Sequence, residues 1–88
     1  MDTARYEVRV SDKARKEIDR IPAKYAAKVE AAIEALADNP RPHGSLKLQG
    51  RDAYRIRVGD YRIVYTISDR QLLVMVIEVG NRKDIYRG

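Results

Sequence analysis

The sequence predicts an α+β domain: a small, mostly antiparallel β-sheet with an N-terminal helical hairpin packed on one face, in the order β-α-α-β-β-β. Three observations carry the prediction. Strand-like alternation near the N-terminus gives way to two stretches of helical periodicity before residue 42. Beyond it, runs rich in Val, Ile and Tyr alternate with short turns of Gly, Asp and Ser. The 88 residues are enough for one compact domain, expected over 1–88, and no more.

The elements follow in order. "YEVRVS" puts Tyr6, Val8 and Val10 on one side and reads as the first strand. Ser11 is a good helix N-cap, and Asp12 behind it suits the positive end of a helix. Ala14, Ile18 and Ile21 then give a short amphipathic helix that Pro22 breaks. Proline is also favoured as a first helical residue, so a second helix is expected from Pro22 to Asp38, with Ala26, Val29, Ile33 and Leu36 as its apolar stripe. "NPRP" stops it, because the residue before a proline avoids the helical region. "PRPHGS" is a loop, and Leu46 to Leu48 a short extended piece. Tyr54–Val58 and Tyr61–Ile67 flank Gly59-Asp60, and "LLVMVIEVG" is apolar at nearly every position, as a strand that is central or covered on both sides would be. The tail "NRKDIYRG" is polar and short.

Composition excludes several classes. Hydrophobic residues make up 44% and charged residues 35%, the balance of a folded, soluble chain and not of a disordered one. Without cysteine there is no disulfide framework and no thiolate chemistry, and a single histidine leaves too few ligands for a structural zinc site. We therefore expect no metal and no cofactor. No apolar run reaches the length of a membrane span and no signal-peptide pattern opens the chain, so the expected location is the cytoplasm, with no membrane partner. The net charge is +5. Residues 1–42 hold nine Lys/Arg against eight Asp/Glu, whereas residues 43–88 hold nine against five. The basic excess thus lies in the expected sheet, which favours a polyanion or an acidic protein as partner.

The stretch "YRIRVGDYRIVY" concentrates that charge. A two-residue turn opening with Gly fits a type II′ hairpin, which pairs Val58 with Tyr61, Arg57 with Arg62, Ile56 with Ile63, Arg55 with Val64 and Tyr54 with Tyr65. Tyr54, Ile56, Val58, Tyr61, Ile63 and Tyr65 then share the face under the helices, and Arg55, Arg57 and Arg62 share the other. Like charges directly opposite cost roughly 0.2–1 kcal/mol, so folding alone gives no reason for this arrangement. Arginines splayed into water, or met by Asp52 or Asp60, are the structural alternative. Three converging guanidinium forks, which present planar donors and keep their protons, point instead to a phosphate. Arg82, Lys83, Tyr86 and Arg87 follow the last strand closely, and Tyr86 could stack on a base or join proton transfer.

The ordered set "YEVRVSDKARKEIDRIP", "ALADNPRP", "LKLQGRDAYRIRVGDYRIVY" and "VIEVGNRKDIYR" resembles the RelE/ParE toxin superfamily, and within it the RelE branch, from Tyr6 to Arg87. The resemblance implies the fold derived above and a toxin of a type II toxin–antitoxin system. It implies an endoribonuclease that cuts mRNA in the ribosomal A site by attack of the RNA's own 2′-hydroxyl, needs no metal, and is neutralised by a RelB-like antitoxin. Operator DNA would be bound only as the toxin–antitoxin complex. By position, the family's basic strand residues fall on Arg55 and Arg57, the arginine opening the next strand on Arg62, the arginine after "VG" on Arg82 and the closing tyrosine on Tyr86. Arg62 and Arg57 would hold the scissile phosphate, Arg82 the leaving oxygen, and Tyr86 the RNA. Lys47, Arg51, Lys83 and Arg87 would contact the RNA.

The family pattern has lysines where this chain has Arg55 and Arg57, and many relatives have histidine where it has Asn81. An arginine does not give up its proton, so the base falls to Tyr86 or Lys83, or charge stabilisation carries most of the rate. Two other readings compete: a gyrase inhibitor of the ParE branch, which generally lacks basic residues at these positions, and a non-enzymatic module that binds antitoxin and operator. The five residues Arg55, Arg57, Arg62, Arg82 and Tyr86 favour the ribonuclease.

Overall fold

A computed structural model describes residues 5–81. In chain order the elements are β1 (Glu7–Val10), α1 (Asp12–Asp19), α2 (Ala23–Ala35), β2 (Leu46–Lys47), β3 (Tyr54–Val58), β4 (Tyr61–Ser68) and β5 (Leu73–Asn81). They build one five-stranded sheet in the order β1-β5-β4-β3-β2. β1 runs parallel to β5, and every other pair is antiparallel, so the sheet is mixed but mostly antiparallel, as expected.

The local signals act as anticipated at the start of the helices. Ser11 caps α1, its Oγ accepting from the Ala14 backbone N–H at 3.1 Å. Ala14 and Ile18, one turn apart, are buried. Pro22 sits at the N-cap of α2, so the helix begins at Ala23, one residue later than expected. α2 also ends earlier than expected, at Ala35. The N–H groups of Leu36, Ala37 and Asp38 reach back only three residues, to Ile33, Glu34 and Ala35, so the chain tightens before Pro40.

The core forms between the helices and one sheet face. Ala14, Ile18, Val29, Ile33 and Leu36 meet Ile56, Ile63, Tyr65, Val74, Val76 and Val79. Burying each such aliphatic side chain contributes roughly 1.5–3 kcal/mol, which is how an 88-residue chain holds together without disulfides. Tyr65 is wholly buried and donates its hydroxyl proton to the Pro40 carbonyl at 2.8 Å, pinning the α2–β2 loop. Burial pushes that phenol up to about 12.

Where β1 ends, α1 takes over the free edge of β5. The Ser11 backbone N–H donates to the Val76 carbonyl at 2.9 Å, and its Oγ donates to the Ile77 carbonyl at 3.4 Å. One turn into the helix, Glu17 Oε1 accepts from the Val79 N–H at 2.8 Å. Those groups would otherwise form part of an unpaired sheet edge.

Candidate active site

The β3–β4 hairpin has the register expected from its turn. Gly59 adopts φ +60°, the left-handed position that a Gly-initiated type II′ turn requires, and Asp60 stays at negative φ. The pairs are Val58–Tyr61, Arg57–Arg62, Ile56–Ile63, Arg55–Val64 and Tyr54–Tyr65. Ile56, Ile63 and Tyr65 point into the core, which sends Arg55, Arg57 and Arg62 to the face away from the helices. Arg57 is exposed, Arg55 half-buried and Arg62 only 7% exposed. Arg62 is therefore not an arginine splayed into water. It is the one buried charged residue among the described residues.

β5 extends this face, with a change of parity. From Ser68–Leu73 to Tyr65–Val76 the β4–β5 pairing is regular. It then shifts by one residue, so that Val64 faces Glu78, Ile63 faces Val79, Arg62 faces Gly80 and Tyr61 faces Asn81. The bulge leaves Val76 and Val79 both in the core although they are three residues apart. Two rows cross the open face: Arg57, Arg62 and Gly80 in one, and Arg55, Val64 and Glu78 in the next. No side chain stands opposite Arg62 on β5, because glycine is there.

The other expected contacts divide. Lys47 pairs with Tyr54, a residue of the helix-side face, so the register sends Lys47 away from the arginines. Its Nζ lies 4.0 Å from Asp52. Leu46, not Lys47, lies beside Arg55 on the open face, and it is 52% exposed. A two-residue strand has no periodicity from which to read this. Arg51 is exposed in the turn between Leu48 and Ala53. Arg82, Lys83, Tyr86 and Arg87 lie outside the described residues. Among the described residues no cluster of His, Asp or Glu is suited to holding a metal ion.

Two groups escaped the sequence reading. Glu78 shares the open face with the arginines. Its ion pair is with Lys13 Nζ at 3.8 Å, while that ammonium bonds Glu17 at 2.8 Å and is raised in pKa mainly by that hydrogen bond. The lone acidic residue in "LVMVIEVG" was the available signal. The second group lies at the far end of β4. Arg41 grips Asp69 with two bonds of 3.1 and 2.8 Å, Tyr6 donates to the same carboxylate at 2.6 Å, and the Arg41 guanidinium lies 5.3 Å from the Tyr54 ring centroid. Arg41, followed by the Tyr6 hydroxyl, holds the Asp69 carboxyl down to about 2. Arg62 and Asp69 are seven residues apart along the chain, roughly 20 Å on an extended strand, so this cluster fastens the α2–β2 loop and takes no part in the arginine face.

Comparison with known proteins connects this architecture to a family. The family model of the ParE toxin of the type II toxin–antitoxin system parDE matches residues 8–86. The toxin RelG of Mycobacterium tuberculosis is 34% identical over 84 residues, covering 93% of this chain and 97% of that one. The chain belongs to the RelE/ParE toxin superfamily. Among solved structures, the RelBE2 toxin–antitoxin complex of M. tuberculosis contains a chain with a TM-score of 0.79 and 26% identity, covering 89% of this chain and 99% of that one. The intact Escherichia coli RelBE complex gives a TM-score of 0.75 at 28% identity, over 86% and 95%. This RelE-type member is thus a type II toxin whose two helices and five-stranded mixed sheet match RelE structures. Its arginine face lies on the part of the chain that the family model spans.

Proposed function

We propose that this toxin is a ribosome-dependent endoribonuclease that cleaves mRNA in the A site and is neutralised in the cytoplasm by a RelB-like antitoxin. The observation that carries the reading is the row Arg57–Arg62–Gly80: a buried guanidinium, an exposed one directly across from it, and a glycine on the other side, all on the sheet face away from the helices. Such an arrangement is poor for folding and good for gripping the oxygens of one phosphate.

In the reaction the 2′-hydroxyl loses its proton and bonds to the adjacent phosphorus. The bond from phosphorus to the 5′-oxygen breaks, leaving a 2′,3′-cyclic phosphate and a 5′-hydroxyl. Arg62 and Arg57 stabilise the charge that builds on the non-bridging oxygens, which is where fixed donors lower a barrier most. Arg55 continues the positive track toward Leu46. Arg82 would meet the leaving oxygen and Tyr86 the flanking base, with Arg51, Lys83 and Arg87 along the backbone; Lys47 would reach the RNA only around the sheet edge. The antitoxin assignment draws support from relatives solved as toxin–antitoxin complexes, RelBE2 and the intact RelBE among them. Operator binding is proposed only for the complex.

The test is a cleavage assay on ribosomes programmed with a defined A-site codon, comparing the protein with Arg62→Ala and Tyr86→Phe. Cleavage that requires ribosomes and falls in both variants is the expected result. Because the matched family model is that of a ParE toxin, gyrase supercoiling is assayed in parallel. Inhibited supercoiling without mRNA cleavage would overturn the ribonuclease reading in favour of gyrase.

A further inference from the structure

The proposed reaction needs a group to take the 2′-hydroxyl proton, and none of the arginines can. We propose that Glu78 is that general base; the inference rests on the ribonuclease reading above.

The argument starts from the bulge. Had the pairing continued unbroken from Tyr65–Val76, Ile63 would face Glu78 and Arg62 would face Val79. The carboxylate would then lie in the core, and an isopropyl group would crowd the arginine. The extra residue at the Val64/Tyr65 step reverses both assignments. It delivers a carboxylate to the open face in the row next to Arg57–Arg62–Gly80, about two residues' rise from the proposed phosphate site. Bulges beside active sites commonly re-aim a side chain in this way.

The bulge is also held in place. Glu17 on α1 accepts from the Val79 N–H at 2.8 Å, and the Ser11 hydroxyl reaches the Ile77 carbonyl at 3.4 Å, so backbone on both sides of Glu78 is tied to one helix. Among the described residues, Lys13 links the Glu78 carboxylate to Glu17 on α1, and by register Arg55 stands in the same row and Arg62 in the next. Lys13 Nζ, at 3.8 Å, is too far away to occupy the carboxylate with a hydrogen bond. The side chain is 30% exposed, open enough for a ribose hydroxyl to approach.

In the step assigned to it, a Glu78 oxygen takes the proton of the 2′-hydroxyl as that oxygen bonds to phosphorus. The 5′-oxygen leaves and takes a proton from water. Glu78 then returns its proton to solvent.

The experiment is single-turnover cleavage on programmed ribosomes at saturating toxin, across a pH series, with wild-type, Glu78→Gln and Glu78→Asp. Ribosome binding and melting temperature are measured alongside. A positioned base contributes about a hundredfold or more. Glu78→Gln should therefore cleave about a hundredfold slower, bind ribosomes as wild-type does, and lose the acidic limb of the pH–rate profile. Glu78→Asp should keep that limb at an intermediate rate. Glu78→Gln within about threefold of wild-type, or a defect confined to ribosome binding, overturns the assignment while leaving the ribonuclease reading intact. A wild-type protein that does not cleave overturns both.

Discussion

Tyr65→Phe removes one buried hydroxyl, bonded to the Pro40 carbonyl and to Ser45, and keeps the ring's packing. Tyr65 has no exposed surface, stacks on Tyr54 at 6.0 Å between ring centroids, and donates to the carbonyl of buried Pro40 at 2.8 Å. Phenylalanine keeps the ring and its packing but leaves that carbonyl without the Tyr65 donor. A buried group stripped of its partner costs about 1–3 kcal/mol; the shortness of this bond and the intact packing place the loss near 1.5 kcal/mol. In a domain of this size each kcal/mol moves the melting temperature by about 4–8 °C, so a drop of roughly 6–12 °C is expected in calorimetry. The variant also carries a pH signature. The folded-state phenol, at about 12, lies above its ordinary 10.0, so the unfolded chain loses this proton first. Tyr65 therefore supports stability fully below about pH 10, and that support is lost as the pH rises towards 12. Tyr65→Phe should lack this part of the alkaline decline. Tyr54→Phe is the control: its exposed hydroxyl accepts a 3.4 Å bond from Arg41, and the expected change is under about 0.5 kcal/mol. A Tyr65→Phe protein that melts within about 2 °C of wild-type, or keeps the full alkaline slope, would refute the reasoning.

Three other predictions use the same melting assay. Asp69 titrates below its ordinary value in the fold, so its contribution is present above about pH 4 and is lost as the pH falls towards 2; Asp69→Asn should flatten that acid arm, and salt should weaken the effect because the pair is exposed. Leu72 holds a left-handed φ of +53° in the β4–β5 turn and is 38% exposed, so Leu72→Gly should raise stability by about 0.5–1 kcal/mol, and an unchanged or lower melting temperature would count against strain at that turn. Arg57→Thr removes a like charge opposite Arg62 and places a β-branched residue in a strand, so it should raise stability by a few tenths of a kcal/mol to about 1 while reducing ribosome-dependent cleavage at least tenfold.

The hairpin was legible because its two-residue turn fixes the register, and the alternation around Gly59-Asp60 then assigns every side chain a face. The helices were legible in their caps and stripes, though not in the tightening after Ala35, where backbone bonds reach back only three residues. β5 was legible as a strand inside the sheet, between β1 and β4, and illegible in detail. With Val, Met and Ile on both faces, "LVMVIEVG" gives no parity from which to see a bulge, and only Glu78 breaks the uniformity. The sides of Lys47 and Leu46 depend on pairing alone. Arg41 and Asp69 stand 28 residues apart, so only the folded chain brings them together.

The burial of Arg62 is the feature that the composition could least have foretold, and it bears most on function. A guanidinium at 7% exposure has given up much of its hydration, and a second guanidinium stands directly across the sheet. An apolar residue would cover this face without that cost, as Val64 does in the next row at 2% exposure. What the charge provides is a donor fork held by a strand instead of a loop, in surroundings where its field is less screened than in water. The α1 side chains on β5 serve the same rigidity, since a shift of one residue there would replace Gly80 by Val79 opposite Arg62. Stability is supplied elsewhere, by the helix-side core and by the Arg41–Asp69 clamp about 20 Å down the strand. A fold that separates its fastening from a rigidly spaced row of positive charge suits the proposed substrate, whose phosphodiester is an anion of fixed geometry.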